Sequence, residues 1–182
     1  MSLKNIYLIV GPSGSGKTSI ANELQTTYGY KAVESYTTRP SRYDGERGHI
    51  FVTDEEFDAL GPMCAYTEYN GYRYGVTADI IDTHDIYVID PAGVNYMRSI
   101  DGYQGSKKVV TIRLKCSHNT LVTRMLERGD SLEKISERLA TDVISFDNDE
   151  TEIGYDLIIP NNNLYYTIEA IWYFIRCWEG EE

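Results

Sequence analysis

The sequence predicts an α/β protein built on a mostly parallel sheet with helices on both faces. Three observations carry that expectation. Short continuous apolar runs, NIYLIV at 5–10, DIYVID at 85–90, KKVVTIRL at 107–114 and YDLIIP at 155–160, have the pattern of strands buried on both sides. Helical segments stand between these runs, so successive strands must be joined by crossovers that cover the sheet. The rhythm breaks once, around the hairpin signal Asn70-Gly71, which marks an inserted small antiparallel lobe at residues 34–83.

In chain order, the first strand (5–10) leads through a glycine-rich loop into a helix, KTSIANELQTTY. YKAVES (30–35) reads as a second strand and the polar stretch 36–49 as a loop, followed by the apolar IFV at 50–52. Thr53 and Glu56 have the spacing of a capping box and open a short helix through Leu60. Residues 63–76 form the hairpin, and TADIIDTH is helical. After the strand at 85–90, a helix runs from about Pro91 to Ile100. Beyond the strand at 107–114, Ser117 caps a helix to about Arg128, and Asp130 with Glu133 caps another to about Phe146. The last strand, 155–160, precedes the helix LYYTIEAIWYFIRCW.

At 182 residues the chain is one domain with room for a substantial core. No stretch is apolar and long enough to span a bilayer, and no signal-peptide-like apolar region stands near the N-terminus. Cys64, Cys116 and Cys177 are scattered and odd in number, which suits free thiols in a reducing cytoplasm. The net charge of −11 disfavours nucleic acid as a partner. His49, His84 and His118 lack metal-ligand spacing.

The loop after the first strand, GPSGSGKTS, fits G-x-x-x-x-G-K-[ST] through Gly11, Gly16, Lys17 and Thr18. The pattern is short, but a buried strand precedes it and a helix follows, which is the context the motif requires. Glycines let successive backbone N–H groups turn inward as a phosphate nest, and the helix N-terminus adds its positive dipole end. Lys17 would reach the β- and γ-phosphates and Thr18 would offer a hydroxyl to Mg²⁺. The bland alternative is a glycine-rich turn that binds nothing. Two further clusters carry cationic chemistry. SYTTRPSR places Ser35, Arg39 and Arg42 together, a forked site suited to a dianionic phosphate. TRMLERGDSLEKISERL carries Arg124, Arg128 and Arg138 on two amphipathic helices, where arginines closing over a triphosphate would neutralise the moving charge.

With these stretches in place, the chain resembles the guanylate kinase family of P-loop nucleoside monophosphate kinases. GPSGSGKTS resembles the family's P-loop, SYTTRPSR its acceptor-phosphate motif, NGYRYG its G-x-x-Y-G segment, RGDSLEKISERL its lid, and YDLIIPNN its last strand with the following asparagine. The resemblance implies the three-layer P-loop NTPase fold as a single domain: a core (1–33, 84–123 and 147–182), an acceptor-binding lobe (34–83) and a helical lid (124–146). It implies ATP-dependent phosphoryl transfer to a nucleoside monophosphate, GMP or dGMP first, with ATP and Mg²⁺. By position, Gly11, Pro12, Ser13, Gly14, Ser15, Gly16, Lys17 and Thr18 would hold the donor, with Asn161 or Asn162 near its base. Ser35, Arg39, Arg42 and Tyr74 would hold the acceptor phosphate. Asp90 would stand near acceptor and Mg²⁺, and Arg128 and Arg138 would be the lid arginines. The expected protein is a cytoplasmic monomer or homodimer acting on small-molecule nucleotides.

The base-reading half departs from the family pattern. His49 stands where a tyrosine is usual. Ala65 falls at the position of the acidic guanine reader, with Glu68 the nearest acid in its stead, and Val76 and Val88 replace polar and acidic groups. Three other readings stay open on the sequence alone: a kinase of the same fold acting on another nucleotide or a phosphorylated sugar such as ribose 1,5-bisphosphate, a non-catalytic binding module, and a P-loop GTPase.

Overall fold

The computed structural model describes residues 4–180 apart from 42, 43, 47, 70, 100 and 148. Four strands, β1 (Asn5–Val10), β6 (Ile86–Val88), β7 (Lys108–Lys115) and β8 (Leu157–Pro160), form a wholly parallel sheet in the order β6-β1-β7-β8. The remaining strands, β2 (Ser35–Thr37), β3 (His49–Phe51), β4 (Met63–Tyr69) and β5 (Tyr72–Thr77), form a second sheet ordered β3-β2-β5-β4.

The central strand β1 is buried at every position, and its period of two distributes the core. Ile6, Leu8 and Val10 pack on one face with Val94 and Met97 of α4 (Pro91–Arg98). Tyr7 and Ile9 face the other layer, meeting Ile20 and Leu24 of α1 (Lys17–Tyr28) and Ile168, Ile171 and Ile175 of α8 (Leu164–Glu179). Each such side chain contributes roughly 1.5–3 kcal/mol on burial, so α8 is fastened mainly by its isoleucine stripe.

The sheet register brings the site together. Ile9 of β1 lies opposite Val88 of β6, so the loop starting at Gly11 and the strand end at Asp90 emerge side by side. Leu114 of β7 lies opposite Ile159 of β8, which delivers Asn161 to the same edge.

Short α2 (Asp54–Ala59) has the expected capping box, with both the Thr53 and Glu56 side chains engaged. Short α3 (Ala78–Thr83) follows β5. The charged segment folds as α5 (His118–Glu127), capped by Ser117, and α6 (Leu132–Ser145).

Four expectations need correction. The run at 30–35 is not a strand: only Ala32 bridges to Ile86, and β2 starts at Ser35, because residues 31 and 33 spend their backbone groups on the edge of β6. The second sheet is antiparallel except at β2–β3, which run parallel. Helix α6 is capped by Ser131, which accepts from the Lys134 amide, and not by Asp130; the aspartate is spent on arginines. A five-residue helix, α7 (Asp149–Ile153), was not expected; it is too short to show periodicity and is held by the buried pair of Asp149 with Arg113 (2.7 Å).

Candidate active site

The loop between β1 and α1 is built around a concave turn. Gly14 and Gly16 adopt positive φ (78° and 94°), which side-chain-bearing residues rarely do. A Cβ at Gly16 would come within 2.6 Å of Asn161 Nδ2, so the turn also needs glycine for space. The Lys17 ammonium folds back to donate to the Gly11 (2.5 Å) and Pro12 (3.0 Å) carbonyls. Desolvation of that ammonium lowers its pKa from 10.5 to about 8, opposed by the nearby Asp142 carboxylate.

The loop is braced from behind. Asn161 is fully buried and donates to the Ser15 carbonyl (2.7 Å). Arg124 donates to the carbonyls of Asn161 (2.9 Å) and Ser15 (3.4 Å). The Ser15 hydroxyl and Asn161 Oδ1 are buried without a hydrogen-bond partner among the described residues. Asn161 therefore supports the loop and does not stand out beside a donor base, whereas Asn162 is exposed. Arg124 serves as a brace and not as a closing arginine.

Two clefts meet at this loop. One, about 530 Å³, runs along Gly14, Gly16 and Thr18 and is bordered by Arg124 and Arg128. The other, about 230 Å³, is lined by Ser35, Thr67, Tyr69, Tyr74, Asp90 and Asp142. Ser13, Lys17, His49, Val88 and Arg138 border both. A larger cavity of about 860 Å³ lies elsewhere, between α1, β3 and α3; among the described residues no lysine or arginine lines it.

In the smaller cleft, Ser35 Oγ and His49 Nδ1 share a hydrogen bond of 2.9 Å, and the His49 ring meets Tyr74 edge-on. The Asp90 carboxylate caps α4 through the Gly93 amide (2.6 Å). Thr67 and Tyr69 point into this cleft, so Glu68, by the alternation of β4, points away. Glu68 is exposed and accepts from Tyr66 on its own face (2.5 Å), which removes it from the site expected for it. Ala65 and Val76 lie opposite each other across β4–β5, both buried in the core.

Arg39 is brought next to Tyr74 but lines an adjoining groove with Tyr69 and Arg138, and does not reach the cleft shared with Lys17. Glu46 grips it through both carboxylate oxygens (2.9 and 3.2 Å). The pair is buried, and Arg39 Nε has no partner among the described residues. Arg42 lies outside the described residues.

Between α5 and α6, Asp130 pairs with Arg128 and reaches Arg138 Nε at 3.9 Å. From α6, one turn beyond Arg138, the Asp142 carboxylate accepts from the backbone amide of Ser13 (2.7 Å). Burial raises the Asp142 pKa, against the Ser13 amide and the Lys17 charge, which lower it. Glu46 and Asp142 were not singled out from the sequence, and Asp130 was read only as a helix cap. The spacing of Asp142 from Arg138, four residues on one helix, is the signal that finds it.

The sequence model of the family described as guanylate kinase matches residues 3–177. The chain belongs to the guanylate kinase family. It is 31% identical over 176 residues to the guanylate kinase of Neisseria gonorrhoeae, covering 88% of this chain and 81% of that protein. It is 28% identical over 187 residues to the guanylate kinase of Thermotoga maritima, covering 94% and 86%. Among solved structures, the guanylate kinase from Anaplasma phagocytophilum superposes with a TM-score of 0.69 at 23% identity, over 98% of this chain and 88% of that one, which supports the shared fold. Among the described residues, no helix is long and apolar enough to cross a membrane.

Proposed function

We propose that the chain transfers the γ-phosphoryl group of ATP to the phosphate of a nucleoside monophosphate, with GMP or dGMP as the first acceptors. One observation carries the reading: Ser13 and Lys17 border both clefts, so two phosphorylated ligands entering from opposite sides meet over the same amide and ammonium. The concave turn made by Gly14 and Gly16 at positive φ, with Lys17 beside it, fits a phosphate tail in the P-loop.

In this reading the loop amides and Lys17 hold the donor triphosphate. Ser35 and Tyr74 hold the acceptor's phosphate, joined by Arg39 once Glu46 yields it. Thr18 and Asp90, with a hydroxyl and a carboxylate, would hold Mg²⁺ together with the substrates, and the ion would supply neutralisation of phosphate charge. The attacking phosphate is already an anion, so no strong general base is required. Arg128 and Arg138, carried by the lid, complete the charge stabilisation and exclude water. Residues 1–33, 84–123 and 147–182 then act as the core, 34–83 as the acceptor lobe and 124–146 as the lid. The reading places a monomer or homodimer in the cytoplasm, with small-molecule nucleotides and no nucleic acid as partners.

A second reading keeps the reaction and changes the acceptor. It is favoured by the buried apolar pair Ala65–Val76 and by Glu68 facing solvent, which leave no β4 carboxylate to accept from a guanine edge. A pocket that does not hydrogen-bond a base discriminates against other bases only weakly. Steady-state assays with ATP-Mg and GMP, dGMP, AMP, UMP, dTMP or ribose 1,5-bisphosphate separate the two. A preference for GMP or dGMP supports the first; a preference for ribose 1,5-bisphosphate or another base supports the second; turnover of none, with ATP bound, overturns both.

A further inference from the structure

Resting on the kinase reading above, we propose that Asp142 is a built-in rival of the donor's terminal phosphate. It is a carboxylate carried by the lid helix α6 that accepts from the Ser13 amide. It must be expelled before the last phosphate of the donor can settle there.

The geometry supports this step by step. Asp142 accepts from Ser13 N at 2.7 Å, a backbone donor on the wall common to both clefts. A phosphoryl group passing from one cleft to the other must cross that wall, so its oxygens and those of Asp142 compete for the same donor. A carboxylate is an anion with acceptor oxygens only, like a phosphate, and the two repel at contact distance. Asp142 is also the first anion acting on Lys17, whose own ammonium is meanwhile turned onto the Gly11 and Pro12 carbonyls.

The same helix carries the replacement. Arg138 lies four residues before Asp142, hence on the same side of α6, and borders both clefts. A displacement of α6 that withdraws the carboxylate re-aims the guanidinium one turn away. Donor binding and lid position thereby become linked: the third phosphate selects the lid state in which an arginine, and not an aspartate, faces the P-loop.

The consequence is selective. ADP lacks the terminal phosphate and meets the rivalry less than ATP does. Calorimetric titration of wild type and the isosteric Asp142→Asn variant with ATP-Mg and ADP-Mg tests it, with thermal melts recorded to establish that both are folded. The expected result is ATP binding roughly fivefold or more tighter in the variant, with ADP binding changed by less than about twofold. Asp142→Ala should shift ATP in the same direction. Wild-type-like or weaker ATP binding in both variants overturns the proposal while leaving the kinase reading intact, as does an equal tightening of ATP and ADP. Failure of the wild type to bind ATP overturns the kinase reading and this proposal with it.

Discussion

In the proposed reaction the fold itself tunes Lys17 for its task. Its ammonium is desolvated and donates to two loop carbonyls, so its pKa falls from 10.5 to about 8. Folding thus lowers the affinity of this group for its proton. The unfolded chain binds more protons between about pH 8 and 10.5, and the Lys17 contribution to stability rises with pH across that window. Binding reverses the preference, because a phosphate favours the charged ammonium. ATP affinity is therefore expected to hold steady below about pH 8 and to fall above it, approaching roughly tenfold per pH unit. Calorimetry from pH 7 to pH 9.5 checks this. A flat profile would remove Lys17 from the donor's phosphates.

At the scale of elements, the strand-loop-helix arrangement of the P-loop was legible because it rests on local rules: a buried run, glycines where φ is positive, and a helix immediately after. The caps at Thr53 and Ser117 were legible for the same reason. Asp130 misled because it has the spacing of a cap, yet the tertiary structure gives it two arginines and leaves the cap to Ser131. The two roles separate by mutation. Ser131→Ala should lower stability by about 1 kcal/mol, measured by urea denaturation, whereas Asp130→Ala should leave the helix content of α6 intact by circular dichroism. The reverse pattern would restore the capping role to Asp130. Glu68 misled through strand parity, since a position one residue off the cleft face cannot be told from one on it until the hairpin register is known. The chemistry of Arg39 suggested a phosphate ligand, but its grip by Glu46 depends on a loop whose path no local rule fixes.

Across the whole molecule, a chain of net charge −11 keeps its few converging cations compensated by its own acids. Glu46 holds Arg39, Asp130 holds Arg128 and approaches Arg138, and Asp142 stands before Ser13 and Lys17. In the proposed reaction each of these carboxylates gives up its partner to a phosphate oxygen, and substrate binding becomes an exchange of one anion for another. Such exchange lets the site collect cations without the cost of leaving them buried and unpaired. The two clefts give the exchange its direction, since a donor entering past Thr18 and an acceptor entering past Tyr74 converge on one ammonium. Transfer of labelled γ-phosphate from ATP-Mg to GMP by the wild type and by Lys17→Ala, with the fold of both followed by circular dichroism, tests that convergence directly. The expected result is labelled GDP from the wild type and none above background from the folded variant; equal turnover by the two proteins would contradict it.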